Sequence, residues 1–258
     1  MTDHVLVSEA ARVLRIQLNR PEKKNALTQA MYASLAAAIE AAEASPAIRV
    51  ITLTGVGDVF TSGNDLKDFL NGRSPEMADN AVTAFLSALA NTRKPIIAGV
   101  NGLAVGIGVT LLLHCDLVYA SEDAIFQLPF VNLGLVPEAA SSLLLPRRVG
   151  QHRAAELLFF GNRFDVHTAR ELGLVNSVHP RGLLDGVVAE HAGALAAKPP
   201  QALRLTKELL KGEQYRLQVA ARMKEEGLHF ERQLGSPEAR EAMSAVLEKR
   251  APDFSGLS

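Results

Sequence analysis

Two periods of apolar spacing run along this chain, and the change between them falls near residue 196. Residues 5–20, VLVSEAARVLRIQLNR, alternate as two strand-like segments around a polar turn at Ser8 to Ala11, the pattern of a hairpin with one buried face. Residues 25–44, NALTQAMYASLAAAIEAAEA, are alanine-rich and helical in spacing, with Thr28 as N-cap and Ser45-Pro46 as a stop. A threonine oxygen accepts from a free first-turn N–H, and proline cannot continue a helix. IRVITLTGVG reads as a buried strand ending in glycines, and KPIIAGVNG as another. LAVGIGVTLLLHC then reads as a helix entered through a glycine-rich turn. DLVYAS and AIFQLP are two further strands, and a helix is expected near 139–145. GQHRAAELLFFG and HTARELG have helical spacing, and LVNSVHP is the last strand. Strands alternating with helices predict an α/β body with largely parallel pairing.

Beyond about residue 196 the strand signal stops. PPQALRLTKELLKG, YRLQVAARMKEEGLHFERQLG and SPEAREAMSAVLEKR are successive helical patterns. Ser236 followed by Pro237 is a strong start signal, an N-cap and then a residue suited to the first helical position. The division expected is a body over 1–195 and a helical region over 196–258, the latter an arm for subunit contacts. No low-complexity tract or strict internal repeat interrupts this plan.

Composition narrows the function classes. At 258 residues the chain is long enough for a sizeable core without staples. Its 27 basic and 28 acidic residues leave a net charge of −1, so no basic field is present to follow a phosphate backbone, and a nucleic-acid partner is not expected. The single Cys115 lies in an apolar run and cannot form an internal disulfide, which fits a reducing compartment. The N-terminal stretch lacks the long apolar region of a signal peptide, the closing FSGLS matches no familiar targeting tripeptide, and no run of about 20 apolar residues suggests a membrane span. A cytoplasmic protein without a membrane partner is the expectation.

The familiar chemical signatures are missing. There is no G-x-G-x-x-G after a first strand, no G-x-S-x-G, no H-E-x-x-H, no Walker lysine pattern and no C-x-x-C, and the seven histidines lack metal-ligand spacing. No metal is expected. The HCD triplet at 114–116 is flanked by LLL and LVY, and reads as a structural helix-to-strand junction. Two glycine turns remain. In VFTSGNDLKDF, Gly63 allows close backbone approach and Asn64 follows it. In NGLAVGIGVTLLL, Gly106, Ile107 and Gly108 open a helix whose first N–H groups are good donors to an anionic oxygen. Together they could form an oxyanion hole, or they could be ordinary strand-exit turns. Glu138, directly after Pro137 in an apolar stretch, is equally open. A first-turn glutamate complementing a helix dipole is worth only about 0.3–1 kcal/mol and is common.

Taken together, LNRPEKKNAL, FTSGNDL, KPIIAGVNGLAVGIGVTLLLHCDLVYAS, AIFQLPFVNLGLVPE, ARELGLVN and SPEAREAMSAVLEKRAPDF resemble the enoyl-CoA hydratase/isomerase (crotonase) superfamily over nearly the whole chain. The resemblance implies an α/β spiral of ββα units, followed by a helical region that mediates trimerisation, as a trimer or a pair of trimers. It implies an acyl-CoA thioester as substrate, with coenzyme A belonging to the substrate and no separate cofactor. By that resemblance the backbone N–H groups of Asn64 and Ile107 hold the thioester oxygen. Lys24 would sit near the phosphates, and Ala26, Ser62, Asp65 and Leu66 near the adenine and pantetheine. Backbone donors do not depend on side-chain type, so Ile107 in place of the family's common glycine leaves the hole possible and narrows the cavity.

The departures from the family pattern are as informative. Its hydratases use two glutamates to orient water; here Thr110 and Phe130 occupy those places, and neither can act as a general base. Glu138 falls instead at the acid position of the family's isomerases, which move a double bond from the 3 to the 2 position of an enoyl-CoA. The resemblance therefore implies a single-carboxylate proton shuttle through Glu138. An apolar setting raises the pKa of such a group and a helix start lowers it. Other carboxylate-dependent acyl-CoA reactions stay open: hydration, ring isomerisation, hydrolysis or dehalogenation. The absence of tryptophan weakens the last. A non-catalytic CoA-binding scaffold, or an RNA-binding relative, is the reading from a different class.

Overall fold

The N-terminal alternation folds as a hairpin in a computed structural model that describes residues 3–71 and 78–257. Its strands are β1 (Val5–Ala10) and β2 (Val13–Leu18), antiparallel, with Leu14, Ile16 and Leu18 buried on one face. The turn is Ala11-Arg12, later than the Ser8 to Ala11 read from the sequence. Both residues have positive φ, 49° and 68°, the two-residue geometry whose twist matches that of the flanking strands. Alanine and arginine carry none of the glycine or asparagine signal that normally marks such a turn, which is why polarity misplaced it.

The remaining strands are β3 (Val50–Gly55), β4 (Val59–Thr61), β5 (Ile96–Val100), β6 (Leu103–Val105), β7 (Leu117–Ser121), β8 (Ile125–Gln127), β9 (Phe164–Asp165) and β10 (Ser177–His179). They form a 6-stranded sheet, β1-β2-β3-β5-β7-β10, and a 4-stranded sheet, β4-β6-β8-β9. Pairing in the larger sheet is parallel from β2 onward. Each of the pairs β3/β4, β5/β6 and β7/β8 sends its first strand to the larger sheet and its second to the smaller, so the chain winds as a spiral, as the family resemblance implies. The corners are tight. A Cβ on Gly102, which has φ +143°, would lie 2.0 Å from the Asp58 carbonyl oxygen, so only glycine fits there.

The helices, in chain order, are α1 (Gln29–Ala44), α2 (Leu66–Asn71), α3 (Ala78–Asn91), α4 (Ile107–Thr110), α5 (Ser141–Val149), α6 (Gln151–Phe160), α7 (Val166–Glu171), α8 (Arg181–Ala196), α9 (Pro200–Leu210), α10 (Glu213–Leu234) and α11 (Pro237–Glu248). Thr28 caps α1 by accepting from the Met31 N–H, and Ser236 caps α11 by accepting from the Ala239 N–H. LAVGIGVTLLLHC is not one helix: its first three residues are β6, α4 is a single turn, and Leu111–Leu113 is 3-10. Gly106, at φ 55° and ψ −115°, breaks the run. The helix α8 lies over the larger sheet through Leu184, Val188, Ala192 and Ala196, a stripe spaced by four. The C-terminal helices share the main core, to which they contribute Val219, Leu234, Ala239 and Met243. Lys207 on α9 and Lys211, which caps it, reach Asp116 at 2.7 and 2.8 Å, tying the helical region to the start of β7. Among the described residues no helix is long and apolar enough to cross a membrane.

Candidate active site

The two glycine turns lie at the same ends of neighbouring parallel strands, because β4 pairs with β6. They are in close contact. A Cβ on Gly63 would stand 3.0 Å from the Val105 carbonyl oxygen, and one on Gly108 only 2.6 Å from the Thr61 Cγ2. The segment before α1 fixes the first turn from the other side. Asn25 is fully buried with φ 54°; its side chain donates to the Val56 and Val59 carbonyls and accepts from the Arg20 N–H. Leu27 then pairs with Asn64 as in a parallel ladder, its N–H bonding the Gly63 carbonyl at 2.8 Å and its carbonyl accepting from the Asp65 N–H at 2.9 Å. In such a bridge the middle residue's own N–H points the opposite way, so the Asn64 amide turns away from Leu27. Tyr32 holds the Asn64 side chain by donating to its Oδ1 at 2.5 Å. Ile107 is the first residue of α4, where an N–H has no helical acceptor, while Val109 and Thr110 both donate to the Gly106 carbonyl. Among the described residues neither the Asn64 nor the Ile107 N–H has a protein acceptor. The Ile107 side chain packs into the core.

Two cavities meet at this point, both lined by Asn64, Asp68 and Phe230. The larger, about 930 Å³, is lined by Ala26, Ser62, Asp65, Leu66, Ile107, Phe130 and Leu135, and carries Arg20, Lys23, Lys67 and Arg163. Four of the five residues expected at a CoA site therefore share one cavity. Lys24 does not line it. That residue has left-handed backbone, caps the 3-10 turn Pro21–Lys23, and offers its carbonyl to the Ser62 N–H while its side chain is exposed. Of the adjacent pair it is Lys23 that lines the cavity, a distinction that PEKKNAL does not betray. Asp65 is committed elsewhere: its carboxylate accepts from Arg20 at 2.6 Å and from the Lys67 and Asp68 N–H groups at the start of α2. Burial pushes that carboxyl up, but these partners outweigh it and hold it below the usual range.

The second cavity, about 550 Å³, lies between α3 and α10, with Val82, Leu86, Ala90, Met223, Leu228 and Phe230 as apolar lining. Glu138 opens onto it. This glutamate stands before α5, not in its first turn, and is separated from it by Ala139 and Ala140, both left-handed at φ 60° and 57°. It is half-buried by surface, and the part left accessible faces the cavity. Water is therefore scarce around the carboxyl, and burial drives its pKa up to about 8, against the hydrogen bond that Thr110 donates at 2.6 Å and with help from the charge of Glu226. The buried Tyr32 hydroxyl is likewise pushed well above its ordinary value, first by burial and then by Glu138. His114 Nε2 bonds the Ala139 carbonyl at 2.8 Å. Burial lowers its pKa to about 4, so the ring is neutral and donates from Nε2. Glu226, from α10, accepts the Ala140 and Ser142 N–H groups at 2.5 and 2.8 Å.

Sequence reasoning missed Tyr32 and Glu226, placed Thr110 at the site only as the replacement of a family glutamate and not as a partner of Glu138, and gave His114 no part there. The HCD triplet is structural as expected, yet its histidine holds the residue next to Glu138. Nothing marks Glu226 among the charges of RMKEEGLHFERQ. Among the described residues no group of three or more His, Cys, Asp or Glu is gathered as a metal site would be. Two unengaged amides can hold a carbonyl oxygen as it becomes negative, and a carboxyl of raised proton affinity beside an apolar cavity can move a proton near neutral pH.

The chain is similar to known proteins in sequence and in fold. A family profile described as enoyl-CoA hydratase/isomerase matches residues 8–257. The chain is similar to the enoyl-CoA delta isomerase 2 of Rattus norvegicus, 38% identical over 212 residues, or 80% of this chain and 54% of that protein; it spans about half that relative's length. It is 35% identical over 257 residues to the 2,3-dehydroadipyl-CoA hydratase of Escherichia coli K12, covering 98% of both. The solved structure of an enoyl-CoA hydratase/isomerase from Pseudoalteromonas atlantica T6c superposes with a TM-score of 0.93 at 44% identity, over 98% of this chain and 100% of that one. By the profile across nearly its full length, and by these similarities, the chain belongs to the enoyl-CoA hydratase/isomerase family.

Proposed function

We propose that the protein is an enoyl-CoA isomerase that moves a 3-double bond to the 2 position of an acyl-CoA. The observation that carries this reading is the surroundings of Glu138: a carboxyl with a pKa near 8 on an apolar cavity, with Thr110 and Phe130 standing where the family's hydratases carry glutamates. In the ionised state Glu138 takes a proton from C2. The electron pair moves onto the thioester oxygen, held by the Asn64 and Ile107 amides, and the same carboxyl group returns the proton to C4. The Thr110 hydroxyl, bonded to Glu138 at 2.6 Å, favours the ionised form that begins the cycle. Coenzyme A, as part of the substrate, takes the larger cavity, with Lys23, Arg20, Lys67 or Arg163 as cations for its phosphates. No step calls for a resident cofactor. The similarity to enoyl-CoA delta isomerase 2 supports this assignment.

A hydratase-like reaction is the second reading, favoured by the full-length similarity to the Escherichia coli hydratase. The test is turnover of 3-enoyl-CoA and 2-enoyl-CoA side by side. Wild type should migrate the double bond with little hydration, and Glu138→Gln should lose about 10²–10⁴-fold, the range for a positioned acid/base. Strong hydration by wild type would sink the isomerase assignment. We also infer a homotrimer or a hexamer, from the family resemblance and from Leu209, Leu210, Leu217 and Leu228, which are exposed on α9 and α10. Light scattering that gives a monomer mass would refute it.

A further inference from the structure

We propose that Glu226 is a positioning residue for Glu138: its carboxylate holds the left-handed Ala139-Ala140 turn in place, and so aims the Glu138 side chain, from the same helix that walls the acyl cavity. The inference rests on the reading of Glu138 as the proton shuttle. Consecutive left-handed alanines are strained and persist only where the surroundings enforce them. Here the enforcement is visible. Glu226 is only 6% exposed, and one of its oxygens accepts from the Ala140 N–H while the other accepts from the Ser142 N–H. Its two oxygens thus hold two amides of one turn, while the Ser141 N–H between them bonds the Glu138 carbonyl. His114 grips the carbonyl of Ala139 from the opposite side, so the peptide next to Glu138 is clamped at both ends.

Glu226 also ties the turn to substrate. Met223, Gly227 and Phe230, its neighbours on α10, line the cavity onto which Glu138 opens. An acyl chain that shifts α10 therefore shifts the turn. The groups acting on Glu138 are the hydroxyls of Thr110 and Tyr32 and the carboxyl of Glu226, while neutral His114 holds the adjoining Ala139 carbonyl. Across the cavity stand Asp68 from α2 and Arg216, Lys224 and Glu231 from α10, while α3 contributes Thr83, Ser87 and Asn91, none of which titrates. Burial pushes the Glu226 carboxyl itself above its usual range, against the Ser142 and Ala140 N–H bonds and the charge of Arg222.

The experiment compares wild type, Glu226→Gln and Glu226→Asp on 3-enoyl-CoA across pH. Glutamine is isosteric but keeps a single acceptor oxygen; aspartate keeps the charge but loses the reach. Both should lower kcat by about 10–100-fold, the cost of displacing a catalytic group by about 1 Å, with KM within about threefold. The acid limb of kcat/KM should move to lower pH in Glu226→Gln and hold its place in Glu226→Asp. A purely structural anchor would instead lower the melting temperature and leave kcat and the limb unchanged, which overturns the proposal. If Glu226→Gln does not fold, wild-type kcat in folded Glu226→Asp overturns it equally. Should wild type fail to migrate the double bond, the isomerase reading falls alone. The coupling is then read from 13C-carboxyl NMR titration of Glu138, whose midpoint must move toward acid in Glu226→Gln; an unmoved midpoint refutes it.

Discussion

At the scale of single residues, the chemistry turns on how Thr110 and burial oppose one another at Glu138. Burial pushes the carboxyl up to about 8, and the Thr110 hydrogen bond pulls it down. A general base must be ionised, so kcat/KM should rise with pH, about tenfold per pH unit, and level off above about pH 8. Thr110→Val removes the pull: the limb should move to higher pH and kcat/KM at pH 7 should fall about tenfold if the hydrogen bond is worth about 1.4 kcal/mol. An unmoved limb would show that the hydroxyl does not reach the ionised state. The same group affects folding. Below the unfolded carboxyl's value both states are protonated; between there and about pH 8 only the unfolded chain ionises, so Glu138 weakens the native state progressively as pH rises through that window. Denaturant unfolding at pH 5, 6.5 and 8 should show Glu138→Gln losing less stability than wild type across the series. Parallel losses would contradict this.

At the scale of elements, the site depends on short pieces held in unusual backbone conformations. Gly106 has φ 55° and ψ −115°, with open space where a Cβ would point. Gly106→Ala thus meets no clash, and its penalty is conformational, on the order of 1–3 kcal/mol. The strain relaxes by rotating the Ile107 peptide, so kcat on acyl-CoA should drop more than stability does. A variant with normal kcat and lowered melting temperature would argue against Ile107 as a donor. These elements also show what could be read in advance. Caps written in one residue, Thr28 and Ser236, were legible, as were the strands of the larger sheet and the helices α1, α6, α9, α10 and α11, because periodicity and capping are local; α3 was not read. The smaller sheet was not. Its strands β4, β6 and β9 are two or three residues long, too short to alternate. The helix α8 escaped notice because Gly182, Gly186 and Gly193 dilute its stripe. The two glycine turns and Glu138 stood out through family motifs, whereas Tyr32 and Glu226 act by contacts across 32 and 86 positions of chain, which no local pattern encodes.

At the scale of the whole molecule, the helical region and the body hold one another through a shared core, through Glu226 and through a charged junction at Asp116. Asp116 accepts from Lys207, Lys211 and the Ile96 N–H. Burial pushes its carboxyl up, but the two lysines outweigh that and hold it below the usual range. Its contribution is therefore present above the unfolded carboxyl value and is lost as pH falls through the lower native one. Asp116→Ala leaves two ammonium groups facing a wall with 10% and 19% side-chain exposure, and should cost about 2–4 kcal/mol at pH 7, near the range for breaking a buried pair. Chemical denaturation with an unchanged slope would measure it, and a loss under about 0.5 kcal/mol, the level of an ordinary surface change, would contradict it. The placement of α10 has a consequence during synthesis as well. Ribosomes release the N-terminal part of a chain first, so both sheets, α3 and the Glu138 turn emerge while α10 is still untranslated. Until it arrives, Val82, Leu86 and Ala90 have no lid on that side, and Ala140 has no acceptor for its amide. A nascent chain stopped at residue 210 should accordingly bind hydrophobic dye and aggregate, and competence for acyl-CoA should appear late, as a single event, when the last helices close over the half-built groove.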